Sequence, residues 1–407
     1  MKVCFETFGC RLNRAEALQR EAEYLAKGWE RTEKHADADL IIVRGCSVTR
    51  RAQHQCEKFI DHLKRHYPLK TILIEGCLKK ASSSSSLQRA KAAALPADPL
   101  ATPMRTARAY LKVQDGCGGK CTFCIVPQFR GASQSVPFDD VLAKARRFID
   151  AGYHEIVITG CNLSQYASGG KRFPDLMAAL AALAPATTGD GGGRVILPHC
   201  RFRIGSLEPG VVAMDTVDVM AENGNICRFL HIPVQSGANR ILTAMRRPYL
   251  ATDVDTLIEK ALAKMPMIGL GCDLITGFPG ETNVDYLATK GLFGRHPFSN
   301  AHIFPFSARP GTIAAGLPDI VPPQIRHERS HELNDIAKKH RSQQAKKHIG
   351  HDVELIIEDE KKLTGWTGEY FACEITNKNR TDQIHRKDLV RVHVMDARHG
   401  TLKAILV

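Results

Sequence analysis

The stretch Asp115-Gly-Cys117-Gly-Gly-Lys-Cys121-Thr-Phe-Cys124 sets three cysteines in one loop at a C-x3-C-x2-C spacing. Thiolates that close together can all face a single cubane cluster. Three of them leave one iron of a [4Fe–4S] cluster without a protein ligand, and an open coordination site marks a catalytic metal centre rather than a closed structural one. Gly118 and Gly119 let the backbone wrap tightly around a bulky group. A zinc knuckle would need a fourth ligand, and the loop offers neither another cysteine nor a histidine. The loop follows a short apolar run at 110–113, and similar runs recur at 155–159, 201–204, 229–234, 271–275 and 302–306. Helix-compatible stretches such as 139–151, 175–183, 238–245 and 253–264 separate them. Six β/α units predict an α/β fold, a partial or complete barrel whose working loops follow the strand C-termini.

Upstream, the same rhythm is shorter. Apolar β-rich runs at 3–8, 40–43 and 71–74 alternate with helical stretches at 14–27 and 53–65, the pattern of an open parallel α/β layer. Each run is followed by a Gly-Cys pair: Gly9-Cys10, Gly45-Cys46 and Gly76-Cys77. In a parallel layer the strand C-termini share one edge, so the three corners converge in space although each is about 30 residues from the next. Cys10, Cys46 and Cys77 thereby make a second three-ligand centre, against the alternative of three buried structural thiols.

The serine run at 82–86 and the prolines around it read as a linker, and the glycine-rich stretch 186–194 as a surface insertion. A basic, helix-compatible stretch runs over 324–348. Beyond it the pattern turns to short strands at 353–357, 370–375 and 402–407, with Val390, Val392 and Val394 in strict alternation, as in a small OB-like β-barrel. The expected division is 1–98 for the N-terminal layer, 99–345 for the core and 346–407 for the barrel, which should position a partner without supporting the core.

The 407 residues, 43% hydrophobic and 24% charged, exclude global disorder, and no apolar run approaches a membrane span. With no apolar signal region at the start, a cytoplasmic location is expected. Lys and Arg number 56 against 43 acids, a net charge of +13 that favours a polyanionic partner, most simply nucleic acid. Thirteen cysteines are many for a compartment where disulfides seldom persist, which again favours metal ligation. Cys4, Cys56, Cys161, Cys200, Cys227, Cys272 and Cys373 share no metal spacing and read as packing residues.

The loop with Cys117, Cys121 and Cys124 resembles that of the radical S-adenosylmethionine (SAM) enzymes. Phe123 matches the aromatic this family places near the adenine of SAM. With the N-terminal cysteine layer and the small barrel, which is similar to the RNA-binding TRAM module, essentially the whole chain resembles the radical-SAM methylthiotransferases. Gly205-Ser-Leu-Glu-Pro209, Pro233-Val-Gln-Ser-Gly237, Gly277-Phe-Pro-Gly-Glu281, Phe304-Pro-Phe-Ser-Ala-Arg-Pro-Gly311 and Gly365-Trp-Thr-Gly-Glu-Tyr370 add to the match. Thr7-Phe-Gly-Cys-Arg-Leu-Asn13 and Gln114-Asp-Gly-Cys117 look most like the branch acting on N6-threonylcarbamoyladenosine (t6A) in tRNA. Other branches act on isopentenyladenosine or on a ribosomal-protein aspartate. Arg44, Cys161 and Pro248 depart from the usual pattern.

The resemblance implies two [4Fe–4S] clusters and SAM. One cluster, at Cys117, Cys121 and Cys124, would carry SAM cleavage; the other, at Cys10, Cys46 and Cys77, would carry the sulfur inserted at carbon 2 of the adenine. Gly160 and Asn162 are expected at the methionine end of SAM. Glu208 and Gln235 would bind ribose or the amino group, or else serve as loop hydrogen-bonders. The implied partners are tRNA, through its anticodon loop at position 37, and a reducing electron-donor protein, with the enzyme a monomer off the membrane. Lys378, Arg380, Arg386, Lys387 and Arg391 are candidate phosphate contacts. A non-catalytic iron–sulfur RNA-binding protein is the rival from another class; two open-site triads count against it.

Overall fold

Strands β1 (Lys2–Thr7), β2 (Leu40–Gly45) and β3 (Thr71–Gly76) alternate with helices α1 (Arg11–Ala26) and α2 (Arg50–His66) in the structure, a computed structural model. All three strands are parallel, in the order β1-β2-β3, with the short strand Glu30–Arg31 outside β1. Ile41, Ile42 and Val43 are buried because a parallel layer is covered on both faces. The register sets Thr7 beside Arg44 and Gly45 beside Gly76. All three Gly-Cys corners therefore leave the sheet at one edge. The described residues are 1–80, 106–184, 197, 199–377 and 383–407. The serine run, the glycine-rich insertion, the expected boundary at 98, Lys378 and Arg380 lie outside them.

The core runs through β4 (Ala109–Lys112), α3 (Val126–Arg130), α4 (Phe138–Asp150), β5 (Glu155–Thr159), α5 (Phe173–Leu183), β6 (Arg201–Arg203), α6 (Val211–Glu222), β7 (Phe229–Gln235), α7 (Asn239–Ala244), α8 (Ala251–Lys264), β8 (Gly269–Thr276), α9 (Asn283–Arg295) and β9 (Phe298–Pro305). Parallel strands β4, β5 and β6 form one sheet and β7, β8 and β9 another. Parallel bridges Phe202–Ile226 and Ser206–His231 join them, so six strands follow one another in chain order as an open partial barrel. The last strand begins earlier than its apolar run suggests, because Ser299 and Asn300 hide the pattern.

Ile156, Ile158, Leu230, Ile232, Leu270 and Leu274 face the helices in the main hydrophobic core. Alternation then turns Glu155, Val157, Arg201, Arg203, His231, Asp273 and His302 to the inner face. On that face α1 packs Ala15 and Leu18 against Tyr110 and Val157, so the N-terminal layer covers the open side of the barrel. Helix α10 (Pro323–Lys346) leads to β10 (Asp352–Asp359), β11 (Thr364–Thr367), β12 (Ala372–Ile375), β13 (Leu389–Arg398) and β14 (Thr401–Leu406), a closed barrel in the order β10-β11-β12-β14-β13. Leu355, Ile357, Cys373, Val392 and Leu402 fill it.

This barrel does more than the sequence suggests. Arg201 donates to the carbonyls of Glu354 and Trp366 at 2.9 and 2.8 Å, and Arg203 to those of Thr367 and Gly368 at 2.8 and 3.1 Å. Tyr370, held at φ 70° between β11 and β12, lies 4.7 Å from the rings of both Trp366 and Phe229. The guanidinium groups of Arg11 and Arg203 each sit 5.1 Å from its centroid. The expectation that the tail leaves the core unsupported is therefore corrected: Tyr370 and its neighbours close the floor of the core. Among the described residues, no helix is long and apolar enough to cross a membrane.

Candidate functional site

The loop after β4 begins at Gly116, whose φ is 66° and where a Cβ would fall 1.9 Å from the Ala132 carbonyl oxygen. Thr122 ties the loop to the C-terminal end of α7, its hydroxyl donating to the Ala244 carbonyl at 3.0 Å and its N–H to that of Met245 at 3.1 Å. A Cβ on Gly119 would stand 3.2 Å from Cys117 Sγ and 3.8 Å from Cys121 Sγ, so the concave side of the loop is lined by sulfur and kept free of side chains. The Gly119 N–H points to Cys117 Sγ at 3.3 Å. Burial pushes the Cys124 thiol up to about 11, and the charges of Cys121 and Cys117 add to it. Burial also raises Cys121, against the opposing pull of Arg247. Burial thus keeps the neighbouring thiols of Cys121 and Cys124 from ionising, and a bound metal supplies the cation that deprotonates them. The donor set fits an iron–sulfur cluster.

Around this loop the strand ends bring Asn162, Glu208 and Arg247 together. Asn162 Nδ2 donates to Glu208 Oε2 at 2.7 Å, Arg247 pairs with Glu208, and Arg247 Nη1 lies 2.8 Å from Cys121 Sγ. A Cβ on Gly160 would meet Gln114 Oε1 and Leu163 Cδ2 at 2.9 Å, and Gln114 Oε1 also accepts the Asn162 N–H at 2.9 Å. Gln235 ends β7 at φ 66°, a conformation non-glycine residues seldom adopt. Phe123 is partly buried and packs against an apolar cluster with Phe278, Phe306 and Met245. Sequence reasoning missed Arg247, which follows Arg246 directly before Pro248 and reads as half of an ordinary basic pair.

Cys10, Cys46 and Cys77 also converge. Gly9, at φ 99°, comes so close that a Cβ there would be 2.9 Å from Cys46 Sγ. Cys10 opens α1 and is exposed, while Cys46 and Cys77 are buried. Burial raises the thiols of Cys46 and Cys77, and Cys10 raises both further. Arg130 opposes this at Cys77 through its charge and a hydrogen bond.

Arg130 also links the two triads. It donates to Glu16 at 2.9 and 3.1 Å, to Asp115 at 2.9 Å and to Asn13 at 3.0 Å. Lys112 bridges Glu16 and Asp115 at 2.6 Å each. Burial would raise Glu16, but Arg130, Arg44 and Lys112 outweigh it and hold its carboxyl well below the usual range. Arg44 pairs with Glu16 and Glu75 here. Cys161, expected to be a packing residue, is half-buried in this network with Sγ 3.5 Å from Asp115 Oδ1; the other six extra cysteines are buried. From the far side, Arg309 donates to the Ser47 carbonyl next to Cys46.

A model of the Radical SAM superfamily matches residues 111–292, and one described as uncharacterized protein family UPF0004 matches residues 2–96. The tRNA-2-methylthio-N(6)-dimethylallyladenosine synthase of Mycolicibacterium smegmatis is 31% identical over 86% of this chain and 75% of its own. The chain belongs to the radical-SAM methylthiotransferase family. The threonylcarbamoyladenosine tRNA methylthiotransferase MtaB of Bacillus subtilis is another similar methylthiotransferase, 28% identical over 97% of this chain and 94% of its own. The radical SAM methyltransferase TsrM of Kitasatospora setae shares the fold, with a TM-score of 0.53 at 11% identity, over 77% of this chain and 74% of that one. Methylthiotransferases of this family use SAM and [4Fe–4S] clusters, the groups that the two triads fit.

Proposed function

We propose that this chain is a tRNA methylthiotransferase that converts t6A at position 37 of the anticodon loop to 2-methylthio-t6A. The observation that carries the reading is the pair of three-cysteine centres, each short of a fourth ligand, held against one another by Arg130, Glu16 and Asp115. Cys117, Cys121 and Cys124 would hold the SAM-cleaving cluster, and Cys10, Cys46 and Cys77 the auxiliary one. Bound SAM and its cluster supply a radical able to take the unactivated hydrogen from carbon 2 of adenine, a step no side chain performs.

The chain's own residues position and shield. Arg247 balances the thiolate of Cys121 and fixes Glu208, which Asn162 holds from the other side. In this reading Asn162 and Glu208 take the polar groups of SAM, Gly160 keeps the end of β5 open for it, Gln235 reaches from β7, and Phe123 stands near its adenine. Near full-length similarity to MtaB and the Thr7–Asn13 motif support t6A. The 31% identity to the M. smegmatis enzyme favours the second reading, dimethylallyladenosine. The reading also carries three domains, at 1–98, 99–345 and 346–407, a cytoplasmic monomer, an electron-donor protein, and phosphate contacts from Arg386, Lys387, Arg391 and the exposed lysines of α10.

Mass spectrometry of tRNA nucleosides from cells lacking the protein tests the substrate. Loss of 2-methylthio-t6A with t6A retained is the expected result. Loss of the methylthio-dimethylallyl nucleoside instead would move the chain to the second reading.

A further inference from the structure

Four arginines are buried among the described residues, and one of them lacks an anion. Arg108, Arg201 and Arg203 all pair with Glu155. Arg309, in the loop after β9, is only 7% exposed and pairs with no carboxylate among the described residues. Its Nη2 donates to two neutral oxygens of the N-terminal layer, the Ser47 carbonyl and Gln53 Oε1, and its Nε is buried without a partner. A buried charge is costly unless it is paired, so the position calls for an anion.

The N-terminal triad lies beside it. Ser47 follows Cys46 directly, and its hydroxyl donates to the Cys77 carbonyl at 3.0 Å, so the residue that Arg309 holds stands between two of the three Gly-Cys corners. Gln53, in the first turn of α2, gives its Nε2 to Glu57 at 2.8 Å and turns Oε1 to Arg309. Burial pulls the Arg309 guanidinium below its usual range; Cys46 opposes this more strongly than Glu57 does, and Arg50 adds to it. The loop that carries Arg309 is also fixed at the other centre. Ala314 donates to the Thr122 carbonyl at 2.8 Å, and Gln128 Nε2 to the Gly311 carbonyl at 2.7 Å. One short segment thus touches both cysteine centres, with its cation at the N-terminal one. Three thiolates outweigh the charge of an oxidised cubane core, so a loaded centre is an anion, and reduction makes it more negative.

We propose that Arg309 is the counter-cation of the auxiliary cluster at Cys10, Cys46 and Cys77: its buried charge is balanced only when the cluster is bound, and the cluster is easier to reduce because of it. The inference rests on the reading of two cluster centres. Arg309 is a positioning residue, acting through its charge and through the Ser47 carbonyl beside Cys46.

The test uses the full-length chain carrying Cys117→Ala, Cys121→Ala and Cys124→Ala, so that the auxiliary centre alone reports after anaerobic reconstitution. Its midpoint potential is read by electron paramagnetic resonance in a redox titration. A unit charge about 10 Å away, at an effective dielectric of about 20, changes the reduced-to-oxidised ratio roughly tenfold, or about 59 mV for one electron. Arg309→Gln keeps a polar side chain and removes the charge, so its midpoint should fall by about that amount, while Arg309→Lys should stay near the parent. An unchanged midpoint in Arg309→Gln at full iron loading, or the same fall in Arg309→Lys, would overturn the charge role. Arg309→Met gives a readout that needs no potential. Its apparent unfolding temperature should equal or exceed the parent's before reconstitution, when the buried charge has no counter-ion, and fall below it afterwards. Failure of a variant to take up iron while its stability before reconstitution holds would support the pairing as well. Equal losses of stability before and after reconstitution would make Arg309 a plain pin between the layers and overturn the proposal. No iron–sulfur absorption in the parent chain after reconstitution would overturn the two-centre reading and this proposal together.

Discussion

Replacing Glu155 by Gln should unfasten the C-terminal barrel from the core. Glu155 is fully buried and sits 2.7 Å from both Arg201 and Arg203, whose side chains are 2% and 0% exposed; Arg108 stands 3.7 Å away. Those arginines also hold the carbonyls of Glu354, Trp366, Thr367 and Gly368. The substitution keeps the shape but leaves two buried guanidinium charges without their shared counter-ion. Breaking one partner of a buried ion pair costs about 3–5 kcal/mol, against a total stability of about 5–15 kcal/mol. Urea unfolding followed by circular dichroism should show a loss of that size, with earlier proteolytic cleavage between α10 and β10. The control is Asp215→Asn, whose partner Arg172 is 52% exposed; it should change stability by no more than about 0.5 kcal/mol. A loss below about 1 kcal/mol in Glu155→Gln would refute the idea that this carboxylate balances the interface.

The same carboxylates set an acid limit. Glu155, Glu16 and Asp273 are all held below their usual range, so their stabilisation is fully present above the unfolded pKa near 4 and disappears as pH falls below it. Unfolding free energy should drop below about pH 5, and Glu155→Gln should flatten that drop. Replacing Cys10, Cys46 and Cys77 by Ala should preserve 5′-deoxyadenosine formation but abolish methylthio product, whereas the Cys117, Cys121 and Cys124 triple variant should lose both. Product from the first variant would show that sulfur need not pass through the N-terminal centre. Gly119→Val should lower iron and sulfide after anaerobic reconstitution from about eight each per chain toward four, because its side chain would occupy the space facing the Cys117 and Cys121 sulfurs. Full loading by this variant would place the cluster elsewhere.

Much of the scaffold was legible in the sequence because it is written in period. Three Gly-Cys corners after three apolar runs, and six further runs separated by helical stretches, need no long-range information to be seen. Arg130 and Arg247 carry no such pattern. Each does its work through partners up to 117 or 126 residues away, and an arginine in a basic chain looks like any solvated charge. Tyr370 was hidden differently: the turn that presents it looks like an exposed loop until Arg203 and Phe229 are seen against it. His231 and Asp273 left a readable trace. They interrupt mainly apolar parallel strands, where a polar side chain must face away from the covering helices, whereas Ser299 and Asn300 mask the same signal around His302.

The chain order of the floor bears on synthesis. The ribosome delivers the N-terminal layer and all six core strands before Thr367, Gly368 and Tyr370 exist. Until those last residues emerge, Arg201 and Arg203 lack four of their carbonyl acceptors and the lumen stays open to water from below. Domains tend to fold in the order they are made, but this core has to wait for its final segment. A product that stops before this segment thus lacks these contacts even with all six cysteines of the two triads in place. Synthesis of the stretch from Glu354 to Tyr370 therefore becomes the step that separates a chain with its cysteine triads from one whose core is packed from below.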